Sequence, residues 1–294
     1  MNTDEILQNI NFYTMNKNRH YSPLGMFICS HKPFRPLPQA ESRPDMYKII
    51  TNCDDPFPST RLDLLRVNKM ECEYGSEQNL CLNEWRMINA LYYYKKLPEY
   101  IGICHYNRYY DTEDIEECKK RLSNANSGCK IGIGVPFKYA IFQGEEKATE
   151  KFYGYWHNID DFNALKTVIQ ELHPNDMYAF DEMANADYLL ASALMILRKE
   201  DFYDLCEFNF EVYDALMERY GFKNDQDAMD YVKNHKDAYI KPNTDFYQDL
   251  EKSSRIIGYL LERSTNVWLR IKRENGKSLL EESYFLKWTA PQRG

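Results

Sequence analysis

Short apolar runs alternate with segments of helical periodicity in the first half of the chain, and this alternation restricts the possible folds more than any other feature. Residues 26–30, 46–51, 100–104 and 130–137 are predicted to be buried strands, and residues 78–96 carry apolar side chains at helical spacing. A helix between two strands returns the chain to the same edge of the sheet, so that the strands pair in parallel. The alternation therefore predicts an α/β fold with a mainly parallel central sheet.

The C-terminal half is predicted to be helical apart from one strand. Residues 189–197 form the longest apolar run, which fits a strand or a buried helix, and its brevity and flanking charges favour a strand. Residues 246–272 place a broad apolar stripe on one long helix. We expect a single domain over residues 26–294, with a helical C-terminal part at about 199–275, after an N-terminal extension of residues 1–25. Further helices are predicted at residues 111–124, 160–172, 199–220 and 225–234.

Hydropathy, charge and cysteine usage exclude several classes of protein. No run of about 18 apolar residues is present, and the mean hydropathy is −0.66, which excludes an integral membrane protein. The 37 Lys and Arg against 45 Asp and Glu leave a net charge of −8, which disfavours a protein that wraps nucleic acid. The first ten residues lack the pattern of a secretion signal, and the eight cysteines form no C-x-x-C pair or zinc-like spacing. We expect a cytoplasmic protein with reduced cysteines.

Polar side chains follow two of the predicted strands at their C-terminal ends. Ser30, His31 and Lys32 follow the first strand, and His105 and Arg108 follow the third. Ligands of open α/β sheets bind outside the carboxyl ends of the strands, and an ammonium, a guanidinium and imidazoles together suit a ligand with two phosphates. The alternative is structural, with His105 bonded to a backbone carbonyl and Arg108 paired with a surface carboxylate.

Two carboxylates are candidates for a general base. Asp181 lies next to an apolar pair of residues, and Glu262 lies inside the apolar C-terminal helix, where burial of a carboxylate is costly unless it is paired. Arg255 and Arg263 lie near Glu262 along that helix, so a structural ion pair explains Glu262 as well as catalysis does.

The sequence offers no clear metal site. Asp225 and Asp227 have the D-x-D form that holds a divalent ion in many sugar-nucleotide enzymes, but they follow no strand, which favours a solvated helix face. Asp54 and Asp55 lie in a loop after the second strand and are the better alternative. Motifs typical of P-loops, dinucleotide-binding sites, zincins and hydrolase elbows are missing from the sequence.

Four segments together resemble a known family. They are FICSHKPF at residues 27–34, Asn83 and Glu84 at the start of an aromatic helix, YIGICHYNRYY at residues 100–110, and RIIGYLLER at residues 255–263 before Trp268. Their order and spacing over about residues 26–270 resemble the DUF4422 family of bacterial capsular and exopolysaccharide glycosyltransferases. The chain departs from the family's usual HYRRYF pattern at Asn107 and Tyr110.

The resemblance implies a GT-A-like transferase that moves a hexose, galactose or galactofuranose, from a UDP-sugar to a glycan or lipid-linked glycan acceptor. It implies that His and Arg at the third strand replace the usual metal-binding aspartates, with Mn²⁺ or Mg²⁺ as the open alternative. It adds Glu84, Arg255 and Arg263 to the expected nucleotide-sugar-binding residues. Sugar transfer with inversion also needs a base for the acceptor hydroxyl, for which Asp181 and Glu262 are the candidates. It also implies work in the cytoplasm, with peripheral attachment to the inner membrane face as a further expectation.

Two other functions are compatible with the same sequence. A glycan-binding or nucleotide-binding protein without catalysis would keep the scaffold and tolerate the change at Asn107. An interaction scaffold that uses the tyrosine-rich C-terminal helices would bind no nucleotide at all.

Overall fold

A nine-stranded sheet organises the computed structural model, which describes residues 23–70, 82, 84–110, 130–138, 149–240, 249–281 and 286–288. The strands in chain order are β1 (Leu24–Ser30), β2 (Tyr47–Thr51), β3 (Asp63–Arg66), β4 (Tyr100–His105), β5 (Arg108–Tyr110), β6 (Lys130–Lys138), β7 (Tyr188–Arg198), β8 (Ser278–Glu281) and β9 (Leu286–Trp288). The helices are α1 (Pro38–Glu41), α2 (Trp85–Tyr92), α3 (Thr149–Trp156), α4 (Ile159–Leu172), α5 (Met177–Asn185), α6 (Lys199–Tyr220), α7 (Asp225–Asn234), α8 (Lys236–Tyr239), α9 (Leu250–Ser253) and α10 (Ile256–Glu274).

The sheet is mixed, and its central strands pair mainly in parallel, as the alternation predicts. Its main path runs in the order β3-β2-β1-β4-β7-β6-β8, and β5 with β9 extends from β4. The pairs of β1 with β2 and β4, and of β2 with β3, are parallel, whereas β7 runs antiparallel to both β4 and β6. Because β1 pairs in parallel with both β2 and β4, the carboxyl ends of these three strands meet at one edge of the sheet, where ligands of open α/β sheets bind.

The sequence of β1 shows why this strand lies at the centre. All seven of its residues are buried, as expected for a strand covered on both faces. Phe27 and Cys29 contribute to the larger core on one face of the sheet, whereas Met26 and Ile28 contribute to a smaller core on the other. The alternation follows from the two-residue period of a strand.

The C-terminal helices attach to the sheet through buried polar side chains. Asn266 on α10 is fully buried, and its amide accepts a hydrogen bond from Leu190 N at 2.9 Å and donates one to Leu190 O at 3.1 Å. Asn209 on α6 donates to Thr265 Oγ1 at 3.1 Å and accepts from the Ser264 hydroxyl at 2.7 Å. These bonds fix the position of α10 along both β7 and α6, because an unpaired buried amide would cost stability.

Most predicted elements that lie in the described residues are confirmed. The four early strands and the strand at β7 are present, and α6 ends at Gly221, whose φ of 70° is the left-handed conformation that favours glycine. Strand β3 and helices α3 and α5 were not predicted, because each is short and its apolar pattern is weak. The predicted helix at 111–124, most of residues 1–25, and Asn83 lie outside the described residues.

The single helix predicted at residues 246–272 is wrong in one respect. The described part of this segment contains α9 and α10, which are separated at Ser254 and Arg255. The Ser254 hydroxyl donates to Glu251 O at 2.8 Å, and Arg255 takes a ψ of 29° as the residue that precedes α10. Serine favours such local bonds over continuation of a helix, which explains the break.

Candidate functional site

Ser30 builds the turn that follows β1. Its side chain is fully buried, and its hydroxyl donates to Lys32 O at 2.5 Å and accepts from Lys32 N at 3.3 Å. The hydroxyl is therefore used within the protein, in a local side-chain turn. The same turn leaves His31 and Lys32 exposed at the end of the strand.

His105 ends β4 beside this turn, opposite Cys29 of β1. Its side chain is only 10% exposed and lies between two oxygen acceptors. Nε2 lies 2.5 Å from Glu84 Oε1, and Nδ1 lies 2.7 Å from Asn107 Oδ1. Neither partner is a backbone carbonyl, so the structural alternative considered for His105 is wrong about its partner. Both partners are side chains.

Glu84 is ionised in this setting. Burial alone would raise the pKa of the Glu84 carboxyl, but the hydrogen bond and charge of His105, together with the charge of Arg108, lower it below its usual range. Glu84 immediately precedes α2, so this helix connects the carboxylate to the core of the domain.

Three distant parts of the sequence bring cationic groups to this edge of the sheet. Desolvation lowers the pKa of His31, and the charges of His105, Arg255 and Lys32 lower it further against the opposing effect of Glu84. Arg255 immediately precedes α10, whose N-terminus carries the positive end of the helix dipole. We call His31, Lys32, His105, Arg108 and Arg255 the cation cluster.

Tyr106 is a residue of the site to which sequence reasoning gave no role. Its half-buried ring lies 4.7 Å from the ring of His105 and 5.3 Å from that of His31, centroid to centroid. Lys32 Nζ lies 5.1 Å from the centre of the same ring, and Phe34 packs on it at 5.9 Å. Tyr106 lies between His105 and Arg108 in the sequence, and this position is the feature from which its place in the site could have been predicted.

The loop after β2 extends the site along the sheet edge. The Arg66 guanidinium donates to Cys53 O and, at 3.1 Å, to Asp55 O, and Asn68 donates to the Asp54 carboxylate. Asp54 and Asp55 are exposed, so their carboxylates face solvent beside the cation cluster's strands. Within the described ranges, no group of three or more His, Cys, Asp or Glu side chains is placed to hold a metal ion.

The Asp225 and Asp227 pair has a structural role. Asn224 caps α7 by accepting from Asp227 N at 3.2 Å, and the Asp227 carboxylate accepts from Asn224 N at 3.1 Å in return. This reciprocal arrangement is a capping box, which satisfies the first amides of a helix. The solvated helix face favoured from the sequence is what the structure contains.

Asp181 lies away from the cation cluster. It forms a surface ion pair with Lys166 at 3.5 Å, and its neighbour Glu182 pairs with Arg270 near the C-terminal end of α10. Arg270 is 15 residues beyond Arg255, or about 22 Å along a helix with a rise of about 1.5 Å per residue. The structure therefore does not bring Asp181 to the cation cluster.

Glu262 lies nearer, two turns along α10 from Arg255. Its Oε2 accepts from Arg263 Nη1 at 2.9 Å, and the same nitrogen donates to Tyr259 O at 3.0 Å. The Arg263 guanidinium is 4% exposed and lies 5.0 Å from the centre of the Tyr153 ring on α3. Arg263 thus holds Glu262 and joins α10 to α3, as the ion-pair alternative predicts.

Comparisons with known proteins give one family and one fold. A family model described as a domain of unknown function, DUF4422, matches residues 25–233. The chain is similar to the apo structure of the WbbM bifunctional glycosyltransferase, with a TM-score of 0.62 and 18% sequence identity. The similarity covers 91% of this chain and 45% of that chain, so the chain spans less than half of that glycosyltransferase. No curated protein matches the chain. Arg255 lies beyond the matched residues.

Proposed function

The chain belongs to the DUF4422 family, and from this premise we propose that it is a glycosyltransferase that transfers a hexose from a UDP-sugar to a glycan acceptor. The observation that carries the proposal is the cation cluster at the carboxyl ends of β1 and β4. Departure of UDP builds negative charge on the diphosphate, and fixed positive groups stabilise that charge. The similarity in fold to a glycosyltransferase structure supports the same reading.

In this proposal three residues of the cation cluster bind the donor. Lys32 reaches the diphosphate as a mobile point charge, whereas Arg108 and Arg255 bind it with planar guanidinium groups. The half-buried Tyr106 ring offers an aromatic surface beside these cations, which suits a sugar or a base. Galactose and galactofuranose are the donor sugars that we propose.

Glu262 is the general base that we propose for an acceptor hydroxyl. It lies 7 residues beyond Arg255 (262 − 255 = 7), about 10 Å along the helix axis, which leaves room for a sugar ring between the diphosphate and the acceptor. Its ion pair with Arg263 keeps the carboxylate in one position. The acceptor is a glycan, free or linked to a lipid, and the proposed place of action is the cytoplasm at the inner membrane face. No helix within the described residues is long and apolar enough to cross a membrane.

Titration calorimetry with UDP, UDP-galactose and UDP-glucose tests the donor site, each with Mn²⁺ and after EDTA treatment. We expect UDP to bind after EDTA treatment and Arg108→Ala to weaken binding roughly tenfold to a hundredfold. Arg219→Ala is the matched control, because Arg219 forms an exposed ion pair with Glu171 on the outer helices. Equal affinities of the two variants would refute the assignment of Arg108, and binding only with Mn²⁺ would move the site towards Asp54 and Asp55.

A nucleotide-binding role without transfer is the second candidate function. The position of Asp181 favours it, since one of the two predicted bases lies outside the site. Release of UDP from UDP-galactose over a panel of glycan acceptors separates the two functions. Transfer that is lost in Glu262→Gln supports the enzyme, whereas UDP binding without turnover on any acceptor supports the binding protein.

A further inference from the structure

His105 has no ring nitrogen left for a ligand. Nε2 faces the Glu84 carboxylate at 2.5 Å and Nδ1 faces the Asn107 amide oxygen at 2.7 Å. The ring is buried against Tyr106, which lies 4.7 Å away between centroids. A direct hydrogen bond from His105 to a diphosphate would therefore require one of these two bonds to break.

The two acceptors determine the charge of the ring. A neutral imidazole donates through one nitrogen only, whereas an imidazolium donates through both, so the cation is the form that satisfies the two oxygens that face this ring. A carboxylate at one of the nitrogens stabilises that cation more strongly than an amide does. Glu84 is thus the group on which the charge of His105 depends.

Other positive charges near His105 oppose its protonation, so the cation depends more strongly on Glu84. Arg108 acts electrostatically on Glu84, and His31 acts on His105, while Lys32 and Arg255 act on His31. These side chains carry a positive charge or acquire one on protonation. Each of them disfavours a further positive charge. The buried thiols of Cys29 and Cys104 also lie near this edge, and burial raises the pKa of each, so they stay neutral.

We propose that Glu84 is a positioning residue that holds His105 as an imidazolium, and that the charge of His105 acts on a bound diphosphate without touching it. Glu84 is then no ligand of the sugar, although it belongs to the site. Contact with the diphosphate falls to Lys32, Arg108 and Arg255. Only the action of His105 on a bound diphosphate rests on the proposed function, since the protonation state of the ring can be measured without a ligand.

The first test is nuclear magnetic resonance of the ¹⁵N-labelled ring without nucleotide, with the His105 signals assigned by their loss in His105→Gln. We expect a doubly protonated ring at pH 7.5 in the wild type and in the control Glu218→Gln, whose glutamate is exposed on α6. In Glu84→Gln we expect a neutral ring at the same pH. A neutral ring in the wild type would overturn the inference.

The second test is UDP affinity between pH 5.5 and 7.5. The ratio of the Glu84→Gln affinity to the wild-type affinity cancels the titration of UDP itself. If Glu84 holds the charge of the ring, both proteins carry that charge near pH 5.5 and only the wild type carries it at pH 7.5. We expect the ratio to fall about tenfold over this range, which is the effect of one nearby charge. A constant ratio would overturn the action on the diphosphate.

A double variant separates positioning from a general loss of structure. Asn107→Asp places a carboxylate at the other ring nitrogen, so Glu84→Gln/Asn107→Asp should recover the doubly protonated ring and a constant affinity ratio. Failure of this rescue, with the fold intact by circular dichroism, would refute the role of Glu84. If the wild type binds no UDP, the proposed function fails, and the ring spectra still decide whether Glu84 holds the imidazolium.

Discussion

The free energy of unfolding of the wild type should fall as the pH rises because Asp161 loses its proton, and Asp161→Asn should abolish this fall. Asp161 is 1% exposed in the first turn of α4, and its Oδ1 accepts hydrogen bonds from the hydroxyls of Tyr220 at 2.7 Å and Tyr239 at 2.8 Å. Burial raises the pKa of Asp161 from 3.8 to about 7, against the two tyrosine hydrogen bonds. Asp160 raises it as well, and His235 lowers it.

The direction of the effect follows from proton binding. Because the folded pKa is higher than the unfolded one, the folded protein holds the proton more tightly between about pH 4 and 7. The contribution of Asp161 to stability is complete below pH 4 and is lost as the pH rises through 7. Each pH unit in this window is worth about 1.4 kcal/mol, so the wild type loses about 3 kcal/mol between pH 5 and pH 8 through this group.

Urea unfolding of the wild type and Asp161→Asn at pH 5, 6, 7 and 8 measures this contribution. The asparagine oxygen still accepts from the two tyrosines and does not titrate. The free energy of unfolding of the variant minus that of the wild type should therefore increase by about 3 kcal/mol from pH 5 to pH 8. Asp187→Asn is the control, since Asp187 is exposed and is not among the groups that shift the pKa of Asp161. Parallel pH curves for the wild type and Asp161→Asn would refute the reasoning.

Three further outcomes are expected. Arg255→Ala should weaken UDP binding roughly tenfold or more in calorimetry, while Arg219→Ala leaves it unchanged, because only the former lies in the cation cluster. Asn266→Ala should lower the free energy of unfolding by about 3 kcal/mol in urea, since it leaves the backbone N–H and C=O of Leu190 buried without their side-chain partner. Gly221→Ala should cost about 1 kcal/mol in the same assay, because φ is 70° there.

The strands could be predicted because their apolar runs have the length and the punctuation that strands require. Placement of Ser30, His31 and Lys32 at the edge of the sheet followed from the same reasoning, since the carboxyl ends of parallel strands meet at one edge. The pair of Glu84 with His105 could not be predicted, because no local pattern reports the distance between a residue that precedes one helix and the end of the next strand.

The choice between the two candidate bases depends on how the helices pack, which the sequence does not show. Asp181 and Glu262 were equal candidates in sequence, and only the packing of α5 on α10 distinguishes them. The apolar stripe continues across the break before α10, so the sequence pattern does not reveal it. The backbone of Arg255, however, leaves the helical conformation at that point. The first difference arises from tertiary packing, whereas the second arises from the local hydrogen bond of Ser254 to Glu251 O.

The spread of the cation cluster along the chain has a consequence for synthesis. His31 and Arg255 are separated by 224 residues (255 − 31 = 224), and a ribosome needs about 10 to 45 s to add them at roughly 5–20 residues per second. During that interval the nascent chain carries the residues of β1 and β4 without the arginine that precedes α10. The site is therefore completed last, by the helix that also bonds to β7, so that the full set of cations becomes available only when the C-terminal helices have emerged and docked.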